Sequence, residues 1–392
     1  MADRFRILTL NQISPVGLER LPAERYEVGK FSEPDAILVR SQDMHKMDIP
    51  PSVKAIGRAG AGTNNIPVAA LSKRGVPVFN APGANANAVK ELVIAAMLIA
   101  SRNLVPAIQF VAGLKGDDAT LHKLVEDGKK QFSGIELPGR TLGVIGLGKI
   151  GSLVADAAIK LGMSVLGYDP EITVDAAWSL PSQVRKAHSI EEVLKGSDFV
   201  SVHVPLLPQT RDLIGAERLA LMREGATLLN FARDGIVNDA AVCEALDVGR
   251  LRSYLCDFPA ERLQGHPKVV ALPHLGASTG EAEDNCAIMV ADQVRDFLEH
   301  GNILNAVNFP NTVMTRESPY RVGVVNANVP NMVGQISTAM AQAGLNIHNM
   351  LNKSKGELAY TLVDVDSAVS GELLGRLGAI PGVLALRYLP QA

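Results

Sequence analysis

The segment Thr141-Leu-Gly-Val-Ile-Gly-Leu-Gly-Lys-Ile-Gly151 constrains the possible fold of this chain more than any other stretch. The apolar run Thr141 to Ile145 reads as a buried strand and stops at Gly146-x-Gly148-x-x-Gly151. Ile150, Leu153, Val154, Ala157, Ala158 and Leu161 then recur at the spacing of one helix face. In a strand–turn–helix of this kind the first glycine permits the tight turn, the second lets the backbone approach a pyrophosphate, and the third lets helix and strand pack closely. The phosphates would sit on the free N–H groups of the first helical turn, at Lys149 and Ile150. A lone glycine triplet of this spacing is a weak signal, but one that follows a strand and opens a helix meets the contextual test for a dinucleotide site. Ser164 to Asp169 reads as a second strand ending in an acid about 20 residues on, where a carboxylate can bond the adenosine ribose diol. No arginine follows Asp169 closely and its charge would repel a 2′-phosphate, so NAD is expected rather than NADP.

With 392 residues, the chain is long enough for two or three domains of roughly 100–200 residues each. Residues 5–10, 35–40 and 53–57 form short apolar runs alternating with helical or loop segments, the pattern of a parallel sheet with crossovers. Arg40-Ser41 and the turn Gly57-Arg58-Ala-Gly60-Ala61-Gly62-Thr-Asn64-Asn65 follow two of these runs. Ligands bind at such strand ends in open α/β sheets. The glycine-rich turn can offer backbone N–H groups to an anion, with Arg40 and Arg58 adding charge. Asn87 to about Arg102 carries a helical apolar face; residues 103–139 show no clear pattern. Downstream, four strand-like runs end in His203, Arg233, Asp257 and His274, with Pro205 just past the first. These four polar residues are expected along the carboxyl edge of one parallel sheet, beside the dinucleotide.

Residues 320–392 follow the order strand, helix, strand, strand, helix, strand, the split βαβ pattern of a separate small module. The 38 Lys and Arg against 41 Asp and Glu give a net charge of −3 without a basic block, which argues against a nucleic-acid or membrane-surface partner. Cys243, Cys256 and Cys286 form no CxxC pair and suit a reducing cytosol, so no disulfide and no metal site are expected and the protein is placed in the cytoplasm. The charged N-terminus does not resemble a signal peptide, and the longest apolar run, Leu92 to Ala100, is far short of the ~20 residues that span a bilayer.

Taken together, Val39-Arg-Ser41, Ile56-Gly-Arg-Ala-Gly-Ala-Gly-Thr-Asn-Asn65, Gly146-Leu-Gly-Lys-Ile-Gly151, His203-Val-Pro205, Asn230-Phe-Ala-Arg233, Leu272-Pro-His-Leu-Gly-Ala-Ser-Thr279 and Ala306-Val-Asn-Phe-Pro310 resemble the D-isomer-specific 2-hydroxyacid dehydrogenases. The likeness is greatest to the phosphoglycerate dehydrogenases with a C-terminal ACT domain. It implies an α/β fold of two doubly wound parallel-sheet domains, a flavodoxin-like substrate domain (1–95 and 286–312) and a Rossmann NAD domain (96–285), followed by a ferredoxin-like ACT domain (320–392). It also implies a homodimer or homotetramer.

Carried onto this chain, the resemblance makes His274 the acid/base and Arg233 the group that holds the substrate carboxylate. Asp257 is placed near the nicotinamide amide, and Arg40, Ser41, Arg58 and the Gly60–Asn64 turn form the anion grip. The family's Asp-Val-Phe-x-x-Glu-Pro run is one residue shorter here, Asp257-Phe-Pro-Ala-Glu261, which makes Glu261 the expected partner of His274. Asn326, Asn328 and Asn346 stand where related ACT domains hold an L-serine effector. The implied reaction is NAD-dependent oxidation of D-3-phosphoglycerate to 3-phosphohydroxypyruvate, the entry to serine biosynthesis. The alternatives are a hydroxypyruvate or other 2-keto acid reductase and, from a different class, an NAD- or amino-acid-sensing binding protein.

Overall fold

A computed structural model describes residues 4–391, which group into two compact units, 4–85 with 280–391, and 86–279. In the first unit β1 (Phe5–Leu10), β2 (Tyr26–Gly29), β3 (Ala36–Val39), β4 (Ala55–Arg58) and β5 (Val78–Phe79) form a sheet in the order β2-β1-β3-β4-β5, parallel throughout. This is the flavodoxin-like order. β3 is buried along its whole length, as expected for a central parallel strand covered on both faces. The helix Gly280–His300 covers the sheet through Cys286, Ala287, Val290, Ala291, Val294, Phe297 and Leu298.

The second unit carries β6 (Thr141–Ile145), β7 (Ser164–Tyr168), β8 (Val184–Lys186), β9 (Phe199–Val202), β10 (Ala226–Asn230), β11 (Leu251–Cys256) and β12 (Val269–Ala271). Their order is β12-β11-β10-β9-β6-β7-β8, all parallel, and the strand order reverses between β6 and β9. That is the doubly wound dinucleotide-binding topology, with its ligand crevice outside the carboxyl ends at the switch point. The helix Ala86–Ser101 lies wholly within this unit because Val89, Val93, Ala96, Met97 and Ala100 pack with Leu142 and Val144. The compact units therefore change over at 85/86 and 279/280, not at the 95/96 and 285/286 read from the sequence.

The C-terminal segment builds β13 (Tyr320–Ala327), β14 (Ile347–Lys355), β15 (Leu358–Val365) and β16 (Val383–Pro390), antiparallel in the order β14-β15-β13-β16. Its helices Met332–Gln342 and Gly371–Gly378 share a core with Val322, Val324, Val363 and Val365. Sequence reading treats this module as independent, whereas the structure ties it into the first unit. Val325, Tyr360 and Leu362 join the core that holds Phe79, Phe297 and Ile303.

Three arginines reinforce the join. The last carbonyls of an α-helix lack intrahelical partners and carry its negative dipole end. At helix Gly280–His300, Arg387 donates to the carbonyls of Phe297 and Leu298 (both 2.9 Å), Arg316 to Glu299 (3.3 Å) and Arg321 to His300 (3.0 Å). Arg321 is fully buried and also forks onto Asp364 at 2.6 and 2.8 Å and onto the carbonyls of Met314 and Thr315, which employs all five of its N–H groups.

Candidate active site

The glycine turn lies at the switch point of the second unit. Gly146 has φ +94°, and a Cβ there would lie 2.6 Å from the carbonyl oxygen of His203, so both conformation and space demand glycine. A Cβ on Gly151 would lie 2.0 Å from the Gly146 carbonyl oxygen, where helix Lys149–Lys160 meets the turn. Gly148 opens on free space, and Lys149 beside it is exposed while Ile150 is half-buried. That open cradle under a helix N-terminus fits a dinucleotide pyrophosphate.

Asp169 follows β7, and its Oδ2 accepts the N–H of Leu147 (2.8 Å) while its Oδ1 accepts that of Glu171 (3.0 Å). It therefore fixes the glycine turn, and each carboxylate oxygen keeps a further lone pair for a ribose hydroxyl. His203 ends β9, with Nε2 2.8 Å from the Ser201 hydroxyl and Nδ1 sealed without a partner. Burial pushes its imidazole down to about 4, so it stays neutral near neutral pH. Pro205, two residues on, is exposed.

Two loops, one beyond β10 and one beyond β12, carry the chemistry-bearing side chains. Arg233 is exposed and donates to the Ala232 carbonyl (2.6 Å). Asn230, at the end of β10 and 2% exposed, accepts the Ala232 N–H (3.2 Å) and donates to the Arg233 carbonyl (3.0 Å). His274 is exposed with φ +57°, a left-handed conformation rare for a residue with a side chain and frequent at functional sites. Its ring packs edge-to-face with that of Phe258, the centroids 5.1 Å apart. Asp257, 1% exposed, accepts the N–H groups of Leu275 and Gly276, each at 2.7 Å, and its own carbonyl accepts the N–H of His274 (3.1 Å).

Glu261 is not brought to His274. The histidine–carboxylate pairs among the described residues are His266 with Asp247 and His300 with Glu299. Glu261 instead starts the short 3-10 turn Glu261–Leu263, whose buried Leu263 anchors it in the core and leaves the carboxylate in solvent.

In the first unit, the expected anion grip divides. Arg40 forms an ion pair with Glu283 on helix Gly280–His300 at 2.5 Å. Ser41 offers its N–H to the Asn11 side chain (3.2 Å). Arg58 lies over Gly60, where an added Cβ would sit 1.6 Å from its Nη1; Gly60 has φ +146°. The Gly60 and Ala61 carbonyls are held by the N–H of Ala81 (2.9 Å) and the Asn80 amide (2.5 Å), and the Asn64 carbonyl lies 3.0 Å from His45 Nε2. Gly62 completes this turn, half-buried. Asn230, Phe258 and Glu283 were missed by sequence reasoning. Asn230 carries a faint signal as a polar residue ending a buried strand, while the other two act through contacts that leave no local pattern.

The three asparagines of the expected effector site do not meet within one chain. Asn326 pairs with Ala359 and Tyr320 with Val365 across β13 and β15, while Ile347, just after Asn346, also pairs with Val365. Asn326 and Asn346 therefore lie near opposite ends of the sheet, about 20 Å apart at the usual strand rise. Asn326 is buried, and Asn328 donates to the Gly356 carbonyl (3.0 Å).

Comparison with known proteins agrees with this geometry. Residues 94–276 match the family described as D-isomer specific 2-hydroxyacid dehydrogenase, NAD binding domain. The D-3-phosphoglycerate dehydrogenase of Haemophilus influenzae is 33% identical over 86% of this chain and 82% of its own length. That of Methanocaldococcus jannaschii is 36% identical over 86% of this chain, which spans only 62% of that longer protein. A crystal structure of NAD+-bound 3-phosphoglycerate dehydrogenase from Entamoeba histolytica superposes with a TM-score of 0.59 at 26% identity, covering 78% of this chain and 99% of the other. The chain belongs to the D-isomer-specific 2-hydroxyacid dehydrogenases. It is an NAD-dependent dehydrogenase, and the relatives similar to it in sequence include D-3-phosphoglycerate dehydrogenases.

Proposed function

We propose that the protein oxidises D-3-phosphoglycerate to 3-phosphohydroxypyruvate with NAD, the first step of serine biosynthesis. The observation that carries this reading is the placement of Arg233 and His274 on loops beyond the carboxyl edge of the sheet that carries the Gly146–Gly151 turn. Bound NAD would supply the hydride acceptor for C2. His274 in its neutral form takes the C2 hydroxyl proton, so hydroxyacid and NAD+ become ketoacid, NADH and a proton. Arg233 holds the carboxylate in two-point geometry, and its permanent charge polarises the C2 oxygen. Lys149, Ile150 and Asp169 would hold the cofactor's phosphates and ribose, with His203 and Pro205 bordering them. Arg58, Ser41 and the Gly60–Asn64 turn supply the groups for the phosphate.

The ion pair between Arg40 and Glu283 favours a second reading, reduction of hydroxypyruvate or another unphosphorylated 2-keto acid, because it neutralises one of the two cations assigned to the phosphate. Steady-state kinetics on D-3-phosphoglycerate and D-glycerate separate the two. The first reading expects kcat/KM at least 10-fold higher for the phosphorylated acid, and a preference for glycerate would remove it.

The protein is further proposed to be a cytoplasmic homodimer or homotetramer. Helix Leu104–Gly113 supports self-association: it buries none of its residues, and Ile108 and Val111 are 66% and 56% exposed. L-serine is the proposed effector. Asn346 of one chain would then approach Asn326 and Asn328 of another, as their separation within one chain requires.

A further inference from the structure

The loops bearing Arg233 and His274 are fastened by two buried polar side chains that end adjacent strands. Asn230 closes β10 and Asp257 follows β11, and the N–H of Asp257 donates to the Asn230 carbonyl at 3.2 Å. Each side chain turns away from solvent and bonds the backbone of one loop. Asn230 grips Phe231–Arg233 through the Ala232 N–H and the Arg233 carbonyl. Asp257 grips the stretch after His274 through the N–H groups of Leu275 and Gly276, with its own carbonyl on the His274 N–H.

We infer that Asn230 and Asp257 act as paired positioning residues, the first aiming the Arg233 guanidinium and the second the His274 imidazole. The two oxygens of Asp257 each already receive a short, charge-assisted N–H bond. Gly276 leaves no room for a shift, since a Cβ there would lie 3.1 Å from Asp257 Oδ2 and 3.4 Å from Val89. The clamp also accounts for the left-handed backbone of His274. A strained conformation persists only where its surroundings over-determine it, and here three hydrogen bonds fall on three consecutive N–H groups. Among the described residues no carboxylate pairs with the His274 ring, so its orientation rests on this clamp and on the Phe258 ring.

The inference rests on the assignment of His274 and Arg233 as the reacting pair, and the experiment separates the two claims. Asp257→Asn, Asn230→Asp and Gly276→Ala are compared with the wild-type protein for NAD+ affinity and stoichiometry by calorimetry, and for kcat and KM with D-3-phosphoglycerate. Asp257→Asn puts an amide N–H against a backbone N–H. It is expected to lower kcat at saturating NAD+ roughly 10- to 100-fold, the usual effect of a misplaced catalytic group. Gly276→Ala, which displaces the same carboxylate by a few tenths of an ångström, is expected to lower kcat in the same direction. Asn230→Asp keeps the acceptor but loses the donor to Arg233, and is expected to raise KM for the acid as well as lower kcat.

If Asp257→Asn raises Kd for NAD+ by 10-fold or more while kcat at saturating NAD+ is retained, Asp257 is a cofactor ligand and the inference falls. If the variants only lose NAD+-binding stoichiometry, with kcat per binding site and KM unmoved, both residues are merely structural and the inference falls as well. A wild-type protein that forms no NADH from D-3-phosphoglycerate would instead overturn the proposed function.

Discussion

His203 shows how much one side chain's surroundings decide. Its Nδ1 has no partner and no solvent, its Nε2 meets the Ser201 hydroxyl, and burial holds the ring neutral down to about pH 4. In the unfolded chain the same ring protonates near 6.5. Between those values the unfolded state binds the extra proton, so this residue's contribution is complete above pH 6.5 and is lost as pH falls toward 4. Urea unfolding at a series of pH values is expected to show stability declining by up to about 1.4 kcal/mol per pH unit from this group across that window. His203→Gln is expected to flatten the decline, and an unchanged slope in the variant would refute the account. Arg40 makes the opposite point, because its ion pair with Glu283 is about 40% exposed on both sides and so is worth little to stability.

At the scale of elements, the glycine turn works because strand, turn and helix are packed to contact. Gly151→Ala would drive a methyl group to 2.0 Å from the Gly146 carbonyl, and backbone cannot yield as a flexible side chain can. The substitution is expected to weaken NAD+ binding at least 10-fold and to cost about 1–3 kcal/mol of stability, read by calorimetry and thermal unfolding. Wild-type affinity in that variant would show that the close packing does not matter.

The parallel strands were legible in the sequence because each is a short apolar run bounded by turn residues and buried on both faces, as β3 and β10 are. β2 escaped notice because Glu27 and Val28 are exposed on a sheet edge, so no apolar run marks it. Residues 103–139 resisted reading for a related reason: helix Leu104–Gly113 is apolar yet buries nothing, so its pattern registers against no core of its own chain. Arg233 and His274 could be found as polar residues ending apolar strands. The Asn230 and Asp257 clamps, the Glu283 ion pair and the solvent-facing Glu261 could not, because they depend on where loops close in space.

At the scale of the molecule, the C-terminal sheet is a structural part of the first unit. Arg387, Arg316 and Arg321 satisfy the final carbonyls of helix Gly280–His300, and the Tyr360 hydroxyl donates to the next carbonyl, that of Gly301, at 2.7 Å. Replacing one partner of a buried ion pair leaves the other charge uncompensated. Asp364→Asn is therefore expected to destabilise the protein by about 3–5 kcal/mol in urea unfolding, through the stranded Arg321 guanidinium. A change below about 1 kcal/mol would mean that the carbonyls alone hold that charge. The same bonds connect the sheet to the helix that carries Glu283, the partner of Arg40.

The central claim is that His274 performs the proton transfer beside an NAD site that exists without it. It is tested most directly by His274→Ala, assayed for D-3-phosphoglycerate-dependent NADH formation alongside calorimetric NAD+ binding. The expected result is a kcat reduced by roughly 10²- to 10⁴-fold with NAD+ affinity unchanged. NADH formation at the wild-type rate would contradict the account.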